Sequence, residues 1–279
     1  MHRAAVLGKP VEHSLSPVLH HAAYAALGLT DWEYTRHQVD AHGLEEFLEG
    51  LGQTWCGLSL TMPLKEQALL MATSASPLAL QTGSVNTLVR GDGGWFGENT
   101  DVHGIRQSLA DGGFAPDVTA GEAVVVGSGA TARSALAALA SFGVRRVTFV
   151  VRAQARESTL AQARDHGFET DVVRMQAGRC ACARADVLVS TVPSGAADAL
   201  AESVVAEPVE ERASGRRPVW LDVVYAGWPT KLAQAGAARG AVVVPGIEML
   251  IHQAAEQVRL MTGLEPPLAA MQAAGRSAV

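Results

Sequence analysis

The stretch EAVVVGSGATAR, residues 122–133, joins a run of apolar residues to a glycine-rich turn. The run ends in Val124-Val125-Val126, which has the β-branched composition and length of a buried strand. The turn Gly127-Ser128-Gly129 follows at once, and an apolar helix is predicted over 134–142, with Gly143 just past its end. A strand, a tight glycine turn and a helix in this order begin a βαβ unit with parallel strands.

The alternation of strands and helices continues towards the C-terminus. Apolar runs predict strands at 147–151, 187–190, 219–224 and 242–244, and a helix lies around 160–166. This half of the chain is therefore expected to be a doubly wound, mostly parallel sheet of the Rossmann type.

A second α/β segment precedes this one, separated from it by turn residues at Asp111-Gly112-Gly113 and Pro116-Asp117. Here a helix is expected to begin at Ser16-Pro17, with Ser16 as its N-cap and Pro17 at the first helical position. The remaining elements of this segment are strands at 4–7, 34–39 and 57–61 and a helix at 44–50.

From Gly246 the pattern changes to one long amphipathic helix, whose apolar face includes Leu250, Ile251 and Val258. Because it lies outside the second series of strands and helices, this helix could return to pack on the first segment. The fold class expected is α/β, with a mixed N-terminal domain over 1–103 and 247–279 and a Rossmann-type domain over 104–246.

Composition excludes several classes of function. With 22 Lys+Arg against 28 Asp+Glu, the 279 residues carry a formal charge of −6, which argues against general nucleic-acid binding. No apolar run approaches the roughly 20 residues that cross a bilayer, and no signal-peptide pattern opens the chain, so we expect a cytoplasmic protein. The 3 cysteines and 9 histidines show no metal-ligand spacing, and no metal is expected.

The glycine turn predicts a dinucleotide site. Gly127, Gly129 and Ala132 match the G-x-G-x-x-G/A pattern, which brings a pyrophosphate to a helix N-terminus. An NAD site carries Asp or Glu at the end of the next strand, whereas this chain has Arg152 there and Arg156 four residues on. Arginine pairs bidentately with phosphate, which favours NADP over NAD. The alternative is that both arginines are solvated residues at the start of a helix.

Five further motifs are rich in polar residues that packing does not explain. They are GKPVEHSLSP at 8–17, GLSLTMPLK at 57–65, GSVNT at 83–87, GENTDVHG at 97–104 and GIEMLIHQAA at 246–255. With these motifs in this order, essentially the whole chain resembles the shikimate dehydrogenase family. The resemblance implies an enzyme of aromatic amino-acid (chorismate) biosynthesis that interconverts 3-dehydroshikimate and shikimate with NADPH. It also implies an N-terminal substrate domain, a Rossmann NADP domain and a C-terminal helix that returns to the substrate domain.

Site residues follow from the same resemblance. Ser14 and Ser16 correspond to hydroxyls that bind the substrate carboxylate, and Thr61, Asn86 and Gln253 to positions that bind its ring hydroxyls. Tyr225 is assigned to the substrate as well, either touching it or supporting the cleft. The implied cofactor residues are Gly127, Ser128, Gly129, Ala130, Thr131, Arg152, Arg156, Thr191, Val192, Pro193, Val223, Gly246 and Met249.

Lys65 and Asp101 correspond to the catalytic pair of the family. Reduction of a carbonyl needs a hydride at carbon and a proton at oxygen, and a cation bonded to that oxygen stabilises the developing alkoxide. Lys65 as proton donor is therefore a hypothesis, with three roles open to Asp101: orienting Lys65, holding the substrate hydroxyl or sharing the proton.

The chain departs from the family pattern in several places. Ser59 stands where the family usually has Asn, and His21 also replaces an Asn. The glycine loop is Gly-Ser-Gly-Ala-Thr, the segment at 151–153 keeps only Arg152 of the usual Asn-Arg-Thr, and residues 190–193 read Ser-Thr-Val-Pro. The cofactor side therefore departs from the family more than the substrate side.

Competing functions remain. A quinate or quinate/shikimate dehydrogenase would share the fold and the pair, and a non-catalytic NADPH sensor is a more remote alternative. A methylene-tetrahydrofolate dehydrogenase would not need the Ser-x-Ser-Pro turn at 14–17. The partners expected are a small-molecule substrate and NADP, with neither nucleic acid nor membrane, in a monomer or homodimer.

Overall fold

The computed structural model describes residues 1–115, 121–208 and 216–279. Part of the predicted break between the two segments, Pro116-Asp117, lies outside the described residues. The described chain divides into two compact units, the first made of Met1–Gly104 with Leu250–Ala278 and the second of Ile105–Met249 with Val279.

Strands and helices alternate through nearly all of the described chain. Up to Asp111 the order is β1 (His2–Gly8), α1 (Ser16–Ala26), β2 (Trp32–Gln38), α2 (Leu44–Glu49), β3 (Trp55–Leu60), α3 (Lys65–Met71), β4 (Ser74–Ala75), α4 (Pro77–Thr82), β5 (Thr87–Gly91), β6 (Gly94–Glu98) and α5 (Asp101–Asp111). From Glu122 it is β7 (Glu122–Val126), α6 (Ala130–Ser141), β8 (Arg146–Val151), α7 (Glu157–Asp165), β9 (Glu169–Arg174), α8 (Arg179–Arg184), β10 (Val187–Ser190), α9 (Asp198–Val205), β11 (Val219–Asp222), α10 (Lys231–Ala238), β12 (Val242–Pro245), α11 (Gly246–Thr262) and α12 (Leu268–Arg276), with a short 3-10 turn at Met175–Ala177.

The sheet of the first unit is mixed. Its strand order is β2-β1-β3-β5-β6-β4; β1 pairs in parallel with β2 and β3, whereas β5 is antiparallel to β3 and β6. Alternate residues of β1 face opposite layers, so Ala5 and Leu7 join one apolar cluster while Ala4 and Val6 join another. Both faces of β1 are therefore covered, as is usual for a parallel strand.

The second unit has the predicted doubly wound sheet. All six strands are parallel in the order β12-β11-β10-β7-β8-β9, which is the Rossmann order counted from β7. The chain reverses its winding between β7 and β10, so the turns that follow these two strands share one crevice. The α/β fold class is confirmed, including the mixed sheet of the first unit and the Rossmann sheet of the second.

Several predicted element ends differ from the structure by a few residues. The helix after the glycine turn begins at Ala130 rather than at residue 134, because Gly129 serves as its N-cap. Gly143 lies just beyond the C-cap Phe142 with φ +76°, as its predicted C′ position requires. The β5–β6 hairpin and β9 were not predicted, since their sequences lack a continuous β-branched run.

Candidate active site

Lys65 and Asp101 form an ion pair within the first unit. Lys65 begins α3 and Asp101 begins α5. The partial positive charge of a helix N-terminus favours a carboxylate and disfavours an ammonium, so Asp101 offsets the cost of placing Lys65 there. The Lys65 side chain keeps 15% of its surface exposed against 6% for Asp101. The lysine side chain is thus partly exposed, while the aspartate side chain that pairs with it is buried.

Asn86 and Gln253 complete a cluster around this pair. The Asn86 Nδ2 donates to Asp101 Oδ1 at 2.8 Å and contacts Gln253 Oε1 at 3.3 Å. The Gln253 amide is oriented by its own donation to the Leu250 carbonyl at 2.9 Å. Both amides are buried. The structure therefore brings together four sequence-predicted residues that are distant along the chain.

The predicted carboxylate turn lies at the start of α1. The Ser14 Oγ accepts the Ser16 backbone N–H at 3.3 Å and donates to Ser16 Oγ at 3.2 Å. The prediction that Ser16 is the N-cap is wrong: Leu15 occupies that position without a side-chain bond, and Ser16 is the first helical residue. The Ser16 side chain is buried, and its Oγ accepts the hydrogen bond from the Ser14 hydroxyl.

His20 lies directly beneath this turn. Its Nδ1 is 2.9 Å from the Ser16 carbonyl, and its ring stacks on Tyr34 at a centroid distance of 3.8 Å. Burial lowers the pKa of His20 to about 4, so the ring is neutral at pH 7 and donates from Nδ1. The positive charge of the cluster described above therefore comes from Lys65 and not from His20.

Thr61 follows β3 and is half-buried. Its backbone N–H donates to the Leu7 carbonyl at 2.9 Å, and its own carbonyl accepts from Leu64 at 2.8 Å. These bonds fix the turn that leads into Lys65. Among the described residues, the Thr61 side chain makes no hydrogen bond to the cluster.

Sequence reasoning missed two threonines that support Asn86. The Thr100 backbone N–H donates to Asn86 Oδ1 at 2.7 Å, and the Thr87 hydroxyl donates to the same oxygen at 2.8 Å. It also missed Gln257, which lies one turn after Gln253 on α11 and is buried. A signal was present, because glutamine at i and i+4 on the apolar face of a helix is unusual.

The glycine turn in the second unit suits a bound pyrophosphate. Gly127 has φ +107°, and a Cβ there would lie 2.6 Å from Thr191 Oγ1. A Cβ on Gly129, in contrast, would meet no atom within 4 Å, so open space adjoins the N-terminus of α6. An accessible backbone at the N-terminus of a 12-residue helix is suited to binding an anionic group.

Hydrogen bonds join this turn to the segment that follows β8. The Ser128 Oγ accepts the backbone N–H of Arg156 at 3.2 Å, and the Thr159 hydroxyl donates to the Ser128 carbonyl at 2.8 Å. Arg152 and Arg156 are both exposed. The described residues after β8 therefore fit a nucleotide with an additional phosphate better than one with a free ribose diol.

The remaining predicted cofactor residues line the ends of β10, β11 and β12. The Thr191 hydroxyl donates to the Val126 carbonyl at 2.9 Å, which ties the turn at 191–193 to the end of β7. At Gly246 a Cβ would overlap the Val223 carbonyl, so only glycine fits, and Met249 one turn later is buried. Ala130 and Thr131 form the first turn of α6, while Val192 and Pro193 follow Thr191.

Tyr225 lies in the loop after β11 and is half-buried. Asp222 holds this loop by accepting from the Thr230 hydroxyl at 2.7 Å and the Val224 N–H at 3.3 Å. Burial raises the pKa of the Asp222 carboxyl. Tyr225 therefore belongs to the second unit, unlike the other predicted substrate residues.

Two searches of the described residues gave negative results. No helix in 1–115, 121–208 or 216–279 combines the length and apolarity that a membrane span requires. Within the same ranges, no group of three or more His, Cys, Asp or Glu side chains could hold a metal ion.

Three family models match most of the chain. They describe the shikimate dehydrogenase substrate binding domain at 6–88, shikimate / quinate 5-dehydrogenase at 108–225 and the shikimate 5'-dehydrogenase C-terminal domain at 246–274. The chain is 37% identical over 273 residues to a shikimate dehydrogenase (NADP(+)) from Methanosarcina mazei, covering 96% of this chain and 95% of that protein.

Solved structures agree. A shikimate dehydrogenase from Mycobacterium tuberculosis superposes with a TM-score of 0.86 at 39% identity, over 99% of this chain and 100% of that one. A shikimate 5-dehydrogenase from Thermus thermophilus, solved in complex with NADP(H) and shikimate, has a TM-score of 0.83 at 33% identity, with complete coverage of both chains.

Proposed function

Because this chain belongs to the shikimate dehydrogenase family, we propose that it catalyses the reversible NADPH-dependent reduction of 3-dehydroshikimate to shikimate. The observation that carries the proposal is the buried cluster in which Asn86 and Gln253 surround the Lys65–Asp101 ion pair. The Lys65 ammonium pairs with the buried Asp101 carboxylate and has further N–H hydrogens, so it is suited to donating a proton to a substrate oxygen.

The residues of the cluster divide the chemistry between them. When bound, NADPH supplies the hydride to the carbonyl carbon. The Lys65 ammonium donates to the carbonyl oxygen, stabilises the negative charge that develops there and delivers the proton. Asp101 orients Lys65 through the ion pair.

The other assignments follow the same chemistry. Ser14 and Ser16 donate hydroxyls to the substrate carboxylate, and Thr61, Asn86, Gln253 and Tyr225 bind the ring hydroxyls or support that site. The substrate domain is proposed over 1–103 and 247–279 and the NADP domain over 104–246, with the cofactor held by the residues named for it above. Chorismate biosynthesis, a cytoplasmic location and assembly as a monomer or homodimer stay predictions.

The test is turnover measured at the absorbance band of reduced nicotinamide. We expect kcat/KM for shikimate with NADP to exceed by at least about tenfold the values obtained when quinate or NAD is exchanged in singly. Comparable rates with quinate or NAD would move the assignment to a dual-specificity quinate/shikimate dehydrogenase. If NADPH binds and no substrate turns over, the sensor function replaces the proposal.

Arg152 offers a second, sharper test of the cofactor. Arg152→Ala removes a guanidinium proposed to pair with the 2′-phosphate, so KM for NADP should rise roughly tenfold while KM for NAD stays within about twofold. Arg164→Ala is the matched control, since Arg164 is another exposed arginine of this region and pairs with Glu157. Equal effects of Arg152→Ala on the two nucleotides would argue against a 2′-phosphate contact.

A further inference from the structure

A chain of buried polar side chains runs beneath the cluster. The Tyr34 phenol lies 2.6 Å from Ser59 Oγ, and Ser59 Oγ lies 2.8 Å from Gln257 Oε1. The Gln257 Nε2 is 3.0 Å from Thr87 Oγ1, which is 2.8 Å from Asn86 Oδ1. Each of these five side chains is buried. These hydrogen-bonded side chains link three strands and α11 of the first unit.

The hydrogen bonds of this chain run in a single direction. Asn86 Oδ1 must face the Thr100 backbone N–H at 2.7 Å, because that group only donates, and Nδ2 must face the Asp101 carboxylate, which only accepts. The Thr87 hydroxyl, which also meets Oδ1, therefore donates to Asn86 and accepts from Gln257. Gln257 then presents Oε1 to Ser59.

The same logic extends to the far end. Ser59 donates its single hydroxyl hydrogen to Gln257, so the Tyr34 phenol must donate to Ser59. A directed path thus connects Tyr34 with Asp101, although these two residues are distant along the chain.

We propose that Gln257 is a positioning residue for the reaction, which acts through Thr87 to hold the Asn86 amide with Nδ2 towards Asp101. Without the Thr87 donor, Asn86 Oδ1 keeps only its bonds from Thr100, and the amide can tilt away from the carboxylate that anchors Lys65. Tyr34 and Ser59 donate along the same path and so help to hold the Gln257 amide. The kinetic part of this inference rests on the proposed function.

Thr87 offers a matched pair of variants. Thr87→Val keeps the shape of the side chain and removes the hydroxyl, whereas Thr87→Ser keeps the hydroxyl and removes a methyl group. We expect kcat for shikimate to fall about tenfold in Thr87→Val and to stay within about twofold of the wild type in Thr87→Ser. If Thr87 merely packs, Thr87→Ser should lose at least as much activity as Thr87→Val, and that result would overturn the proposal.

Gln257 is tested by combining its substitution with that of Thr87. Gln257→Leu should lower kcat about as far as Thr87→Val, and the double variant should fall no more than about twofold below Thr87→Val alone, because both changes break one path. Effects that multiply in the double variant would show that Gln257 acts independently of Thr87 and would overturn the proposal. Each rate is expressed per NADPH-binding site, which removes any contribution from unfolded protein.

Tyrosine provides a further control. Tyr34→Phe keeps the ring on His20 and removes the donor to Ser59, so kcat should fall about threefold. Tyr24→Phe removes another buried hydroxyl of the first unit, one with no hydrogen-bond partner among the described residues, and should leave kcat unchanged. Equal rates in the two variants would remove Tyr34 from the path.

One readout does not depend on the substrate. The side-chain amide resonances of Asn86, identified by their loss in Asn86→Ser, should shift in Thr87→Val and Gln257→Leu and return in Thr87→Ser. Unshifted resonances in the first two variants would overturn the proposal whatever the enzyme reduces. A wild-type protein that turns over no substrate would overturn the proposed function, and the resonances would then decide the positioning of Asn86 separately.

Discussion

At the scale of single residues, the helix N-termini in the cluster disfavour the charge of Lys65 and favour that of Asp101. Lys65 begins a helix, where the exposed backbone N–H groups disfavour a cation, and Asp101 offsets this cost by pairing with it. Asp101 begins a helix too, in the position that a carboxylate prefers. The helix N-terminus therefore favours Asp101 and disfavours Lys65, and the ion pair between them offsets the cost at Lys65.

Lys65→Met should remove most of the turnover. The substitution keeps an unbranched side chain of similar length and deletes the donor to the developing alkoxide, which is worth roughly 100- to 1,000-fold in kcat. Substrate affinity, measured by titration without turnover, should change much less. Lys231→Met, at an exposed lysine of the second unit, is the control. Near-native turnover of Lys65→Met would contradict the catalytic assignment.

His20 makes folding stability depend on pH. Its pKa is about 4 in the folded protein, whereas the ordinary value for an unfolded chain is 6.5, so between these values the unfolded state binds more protons. The stability that His20 contributes is complete above about pH 6.5 and is lost as the pH falls towards 4, by up to about 3 kcal/mol.

Urea unfolding at several pH values between 7 and 4 checks this expectation for His20. The free energy of unfolding of the wild type should fall relative to that of His20→Gln, which has no group titrating at this position. Parallel pH dependences for the two proteins would mean that His20 is not held neutral.

At the scale of elements, two glycines with positive φ have different surroundings. Gly127, in the turn before α6, has φ +107° and lies against Thr191, whereas Gly143, after α6, has φ +76° and open space where a Cβ would be. The glycine before α6 is thus required both by its backbone conformation and by its close contact with Thr191. The glycine after α6 is required by its backbone conformation alone.

Gly127→Ala should therefore destabilise the protein more than Gly143→Ala. Both variants strain the backbone, at roughly 1–3 kcal/mol, but only Gly127→Ala also forces Thr191 to move. The free energy of unfolding of the two variants, measured in urea without nucleotide, tests the order. A larger loss in Gly143→Ala would show that the contact with Thr191 is relieved at little cost.

At the scale of the whole molecule, the first unit is built from two separate parts of the chain. Residues 250–278 complete it, bringing Gln253 to the cluster, Gln257 to Ser59 and α12 to α1. A Cβ on Gly275 of α12 would lie 2.9 Å from Leu19, so the two helices meet at close range. Residues near the C-terminus are thus part of the N-terminal core.

Truncation after Gly263 should lower the thermal midpoint by roughly 5–10 °C, because it removes the buried Met271 and uncovers Leu19. Removing only residues 277–279, which are exposed, should leave the midpoint within about 2 °C. Differential scanning calorimetry of the two proteins gives the comparison. Equal midpoints would mean that α12 contributes little to the first unit.

Much of the candidate site was predictable because its motifs are local. Gly127 to Arg133 combine a strand, a turn and a helix in one stretch, and Lys65 and Asp101 each belong to a polar motif of their own. The position of Ser16 was harder to predict: serine before proline is typical of an N-cap, yet Leu15 is the N-cap of α1 and Ser16 is its first helical residue. The helix therefore begins one residue earlier than the local pattern indicates.

The α/β class, the glycine turn, the absence of an acidic residue after the second Rossmann strand and the Lys65–Asp101 pair could all be predicted from the sequence. These features depend on neighbouring residues or on recognisable motifs. The directed path of hydrogen bonds through Gln257, Ser59 and Tyr34 becomes visible only in the fold, since these bonds join residues up to 198 positions apart. The direction of these bonds depends on the donor-only Thr100 N–H and the acceptor-only Asp101 carboxylate, which the fold brings to the Asn86 amide.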